Sequence, residues 1–142
     1  MLKTRGVAHL TIPVSDMQRS IAFYTDVVGL ELIRGFDAIA FLRAGKDNVV
    51  LARCELPPRP AELSAEQRNV HQAFIVESRD FDASLQFLAS KGVDVIDQEE
   101  RGGPVAVFAG RSAYFADPDG NVLEIIDLQG TAYRHQVPAA AT

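Results

Sequence analysis

The stretch "VAHLTIPVSDMQRSIAFYTDVVGLELI", residues 7–33, reads as a strand, a helix and a second strand. Leu10, Ile12 and Val14 alternate with His9 and Thr11, as side chains on the two faces of a strand do. Ser15 and Gln18 have the spacing of an S-x-x-Q capping box. Met17, Ile21, Tyr24 and Val28 keep an apolar stripe at helical spacing. Gly29 falls where a helix needs a left-handed C-terminal residue.

The pattern recurs further along. "NVHQAFIVES" (69–78) is again an apolar strand with a histidine near its start, and "SLQFLASKGVDVI" (84–96) is again a helix, a glycine and a strand. "GKDNVVLAR" (45–53) matches "PDGNVLEII" (118–126), each a tight turn, Gly45–Asn48 or Asp117–Gly120, leading into a strand. An internal repeat of this kind sets the architecture. The reading is α+β, two tandem βαβββ modules within one domain, 1–142. Module one spans about 5–54, a Pro-rich linker 55–69, module two about 70–128 and a tail 129–142. Neither half can bury both faces of its sheet alone, so the halves pack on each other or on another subunit. The extra residues of the second half fall in "EERGGPVAVFAG" (99–110), and 99–111 reads as an enlarged loop able to act as a lid.

With 142 residues, 47% of them hydrophobic, the chain can bury a core. The net charge of −5 and the lack of a basic stripe interleaved with aromatics argue against nucleic acid as a partner. Cys54 is the only cysteine, which fits a reducing compartment. No apolar run approaches the ~18 residues of a membrane span, and Met1–Gly6 lacks the apolar core of a leader. A cytoplasmic protein that meets no membrane is expected.

One residue resists this bland reading. Glu124 sits in the middle of Val122-Leu123-Glu124-Ile125-Ile126, and an isolated ionised carboxylate is too costly to bury alone. A buried ion pair with Arg101 or Arg111 is one answer. A cation is the other. His9 and His71 hold equivalent places in the two halves, on the strand faces that also carry Thr11 and Ala73. Either histidine alone reads as an ordinary strand residue. Together with Glu124 they form a two-histidine, one-carboxylate set that suits a divalent ion with positions left open. The repeat places Leu51 opposite Glu124, so that corner of the pseudo-symmetric pair carries no ligand. His135, in the tail, reads as a solvated residue.

"VAHLTIPVSDMQRSIAFYTDVVGLEL", "HQAFIV" and "YFADPDGNVLEIID" resemble the vicinal oxygen chelate superfamily, the glyoxalase/bleomycin resistance/dioxygenase fold. The resemblance covers roughly residues 5 to 128 and implies paired βαβββ modules forming a cupped mixed β-sheet. It implies one divalent metal per site (Fe, Mn, Zn, Ni or Co) on His9, His71 and Glu124. It also implies a homodimer whose sites are shared between chains. In detail the chain is most similar to fosfomycin-modifying thiol transferases, in which Thr11, Ser112 and Tyr114 match substrate-contacting positions. Tyr114 would donate a proton or hydrogen bond, Glu124 would serve catalysis as a ligand, and Arg101 or Arg111 would receive an anionic substrate. The expected function is therefore a metal-dependent enzyme acting on a small oxygen-bearing substrate, of lyase, isomerase or thiol-transferase type. A ring-cleaving dioxygenase, or a non-catalytic protein that sequesters a drug, are the alternatives.

Overall fold

The computed structural model describes residues 1–55, 69–102 and 108–131. The linker, most of the tail with His135, and 103–107 of the expected lid lie outside them. The chain forms two compact units, and the Asp117–Asn121 turn belongs to the first although its flanking strands belong to the second. Among the described residues no helix is long and apolar enough to cross a membrane.

The first unit contains β1 (Leu10–Val14), α1 (Met17–Asp26), β2 (Glu31–Gly35), β3 (Ile39–Ala44) and β4 (Asp47–Arg53). The sheet order is β1-β4-β3-β2, with β1 parallel to β4 and the other pairs antiparallel. α1 lies against β2, β3 and β4. It buries Met17, Ser20 and Tyr24, while Ile21 and Val28 are only half-buried, so the expected stripe is rotated toward Ser20. The capping box is also corrected. Asp16 is the N-cap, its carboxylate accepting from the Arg19 amide at 3.0 Å. Ser15 instead donates its amide and hydroxyl to Asp119, at 2.9 and 2.5 Å, and Arg19 Nη2 joins the same carboxylate at 2.9 Å. Beneath this cluster the buried Tyr24 hydroxyl donates to Asp117 Oδ2 at 2.8 Å, and Asn121 Nδ2 donates to the Pro13 carbonyl. Gly29 takes φ +80° and closes the helix as its position requires. The β3–β4 hairpin is tighter than expected, because only Gly45 and Lys46 separate the strands.

The second unit contains β5 (His71–Ile75), a 3-10 turn (Ser78–Asp80), α2 (Phe81–Ser90), β6 (Asp97–Arg101), β7 (Phe108–Ala116), β8 (Val122–Ile126) and β9 (Gly130–Thr131). The order is β5-β8-β7-β6, with β5 parallel to β8 and β9 added on β7. Two expectations change here. The strand after Gly92 starts only at Asp97, and much of the supposed loop is strand, since β6 runs to Arg101 and β7 resumes at Phe108. The charged run Gln98-Glu99-Glu100-Arg101 looks like loop because an edge strand with mostly solvated side chains lacks apolar alternation.

Arg111, expected as a receptor for substrate, has its guanidinium engaged within the second unit. Its Nε donates to Asp127 Oδ2 at 2.9 Å, Nη1 to Asp82 at 3.0 Å and Nη2 to the Ser78 carbonyl at 2.9 Å. Its guanidinium also lies 4.4 Å over the Phe81 ring. Asp127, fully buried, accepts from the Arg111 amide as well, at 2.5 Å. Burial pushes the Asp127 carboxyl up, but the Arg111 amide and guanidinium outweigh it and leave it below the ordinary aspartate value. Asp119 is likewise held low, burial being outweighed by Ser15 and Arg19.

A carboxyl depressed in the folded state adds stability above its unfolded value, about pH 4 for aspartate, and loses it as pH falls through the lower folded value. The stability gap between wild type and Asp127→Asn is therefore expected to stay constant from neutral pH to about 5 and to close below about 4. Urea titrations across that range measure it, and a gap that widens in acid contradicts the assignment.

Candidate metal centre

The second sheet gathers its chemistry on one face. β5 and β8 are in register with Ala73 opposite Glu124, and β7 and β8 with Tyr114 opposite Glu124. Because paired residues share a face and the period is two, His71, Glu124, Tyr114, Ser112, Glu99 and Arg101 all project to the same side. His71 Nε2 stands 2.8 Å from Glu124 Oε2, and the Glu124 side chain is only 4% exposed. The tyrosine ring packs edge-on against His71 with centroids 5.3 Å apart. Arg101 supplies the cationic partner anticipated as an alternative: its Nη1 reaches Glu124 Oε1 at 3.4 Å and Ser112 Oγ at 3.0 Å. Nη2 bonds Tyr114 at 2.5 Å and also the Glu99 carboxylate. Burial, the largest influence, pushes the Tyr114 hydroxyl up against the pull of Arg101, so it stays a protonated phenol at neutral pH.

His9 lies in the first unit, exposed, just before β1. It lines a depression of about 520 Å³ with Ile33, Phe41, Arg43 and Val50 among others. Thr11 is exposed and pairs with Val50. This register corrects one expectation. Thr11 is to His9 as Ala73 is to His71, so the partner of Thr11, Val50, matches Glu124. Leu51 pairs with Ile12 and is wholly buried on the helix-facing side. Valine cannot ligate either, so the first sheet still has no carboxylate at that corner. The structure brings His71 and Glu124 together within the second unit, and His9 belongs to the first. Among the described residues no three His, Cys, Asp or Glu side chains are grouped closely enough to hold a metal ion.

Two donors remain to be tested for fit. Neighbouring ligand atoms around a small divalent ion, each about 2.1 Å from it, stand about 3 Å apart. The imidazole nitrogen and carboxylate oxygen meet that spacing. An imidazole with a carboxylate is also a donor set that divalent transition metals favour. The pair fits as two of three protein ligands.

Sequence reading overlooked Glu99, absorbed into the supposed loop. Asp97, Glu99 and Arg101 share one face of β6, but Gln98 and Glu100 on the other are polar too, so no alternation marked the strand.

The fold is that of a known superfamily, and comparison with known proteins identifies it. The chain belongs to the Glyoxalase/Bleomycin resistance protein/Dioxygenase superfamily, whose model matches residues 6–125, and it is a metal-dependent enzyme of that superfamily. It is 35% identical over 125 residues to the glutathione transferase FosA of Serratia marcescens, covering 85% of this chain and 79% of that one. It is 30% identical over 124 residues to the metallothiol transferase FosB of Staphylococcus epidermidis, covering 87% and 82%. The crystal structure of the fosfomycin resistance protein FosX from Mesorhizobium loti superposes with a TM-score of 0.67 at 26% identity, covering 93% of this chain and 96% of that one.

Proposed function

We propose that the protein transfers a thiol to a small oxygen-bearing electrophile, with fosfomycin the first candidate, at a divalent metal held by His71 and Glu124 of one chain and His9 of a second copy. The observation that carries this is the 2.8 Å approach of His71 Nε2 to a Glu124 carboxylate that is all but sealed from water. The named activities of the FosA and FosB relatives support the reaction type. The proposed second copy contributes His9 as the third ligand. The face bearing His9 also exposes Ile33 and Phe41, at 45% and 40%, apolar surface that gains by being covered.

When bound, the ion supplies Lewis-acid stabilisation of negative charge developing on substrate oxygen. The chain's own groups do the rest. Sulfur bonds to a ring carbon, the carbon–oxygen bond breaks with both electrons going to oxygen, and the proton lost by the thiol ends on that oxygen. Tyr114, a protonated phenol beside His71, is placed to donate a hydrogen bond to this oxygen.

Purified protein titrated with Mn(II) or Zn(II) is expected to bind the ion. Glu124→Gln and His71→Ala are expected to lose it by more than the ~10–100-fold that supporting groups command. Fosfomycin with glutathione or cysteine should turn over only in the metal-loaded wild type. Unchanged metal binding in both variants refutes the proposal.

A further inference from the structure

The two oxygens of Glu124 have different companions. Oε2 faces His71, whereas Oε1 faces Arg101 Nη1 at 3.4 Å. That guanidinium is not a loose surface cation. Fully buried Ser112 accepts from Nη1 at 3.0 Å, and Nη2 is engaged by Tyr114 and Glu99. Partners on β6, β7 and β8 therefore fix the fork in one orientation. A planar fork pinned in this way is suited to holding a carboxylate oxygen in place.

We propose that Arg101 is a positioning residue for the metal ligand: it occupies Oε1 so that Glu124 offers Oε2 alone beside His71, while Glu99 cancels the arginine's charge. The inference rests on the metal reading above. Glu99 decides which of two opposed effects wins. An unscreened guanidinium next to a ligand would repel a dication and weaken its binding. With the Glu99 carboxylate in contact, the pair is neutral overall and the hydrogen bonds remain. It follows that Arg101 strengthens metal binding rather than competing with it. The engagement of both terminal nitrogens also makes Arg101 a poor receptor for an anionic substrate, the role its sequence position suggested. Neither Arg101 nor Glu99 is thereby a catalytic residue.

The test is calorimetric titration of metal-free wild type, Arg101→Gln, Glu99→Gln and His71→Ala with Mn(II), with the visible absorption of the Co(II)-loaded proteins as a second readout. Arg101→Gln is expected to bind Mn(II) 10–100-fold more weakly, the range typical of groups that orient ligands. Its Co(II) bands should move as Glu124 becomes free to offer both oxygens. Glu99→Gln should weaken binding in the same direction, by leaving the guanidinium charge unbalanced. Wild-type affinity in Arg101→Gln with unmoved Co(II) bands, or tighter binding, overturns the inference while leaving the metal site standing. A wild type that takes up no Mn(II), indistinguishable from His71→Ala, overturns the metal reading itself. Should Arg101→Gln fail to fold by circular dichroism, Glu99→Gln at its 44% exposed side chain decides alone, and unchanged affinity there overturns the proposal.

Discussion

A one-to-one mixture of His9→Ala and His71→Ala protein, unfolded and refolded together, is expected to recover about a quarter of wild-type turnover and metal content, although neither variant has either alone. The reason is geometric. If each site takes His71 and Glu124 from one chain and His9 from the other, a mixed dimer has one site with both substitutions and one with neither. Random pairing makes about half of the dimers mixed, so about a quarter of all sites are intact. A site completed inside a single chain predicts the opposite, because every chain in the mixture then carries a damaged site. Metal content per chain and turnover with fosfomycin and a thiol are the two readouts. Absence of recovery in a mixture shown by mass spectrometry to contain mixed dimers rules out sharing between copies.

The second large effect concerns folding. Gly110 adopts φ +137°, and a Cβ added there would meet the Asp127 carbonyl oxygen at 2.1 Å and its Oδ1 at 2.7 Å. That backbone cannot easily retreat. The Asp127 amide donates to the Arg111 carbonyl at 3.0 Å, and its carboxylate holds both the Arg111 amide and guanidinium. Backbone strain of about 1–3 kcal/mol adds to an overpacking cost of about 1–3 kcal/mol, against a total stability of about 5–15 kcal/mol. Gly110→Ala is therefore expected to lower the urea midpoint severely or to yield insoluble protein. Gly92→Ala is the control. It has φ +70° but nothing within 4 Å of the added carbon, so it should cost only about 1 kcal/mol. Equal midpoints for the two variants contradict the packing argument.

What was legible in the sequence had local causes. Glu124 declared itself as a charge inside an apolar run, the two histidines as repeats of one strand pattern, and Gly29 and Gly92 as helix stops. What was missed depends on partners distant in the chain. Ser15 reads as a cap until Asp119, more than a hundred residues later, takes its hydroxyl. Leu51 and Val50 cannot be told apart by spacing, because a shift of one residue in strand pairing exchanges the two faces. Arg101 and Arg111 look alike as basic residues around one glycine-rich segment. Only the sheet register sends the first to Glu124 and the second to Asp127.

Val50, standing where the sister sheet carries an acid, bears on the stoichiometry of the proposed metal site. A cation offered to the His9 depression alone would meet a hydrocarbon side chain with no lone pair to give. On the proposed site, titration with Mn(II) is therefore expected to saturate at one equivalent per polypeptide.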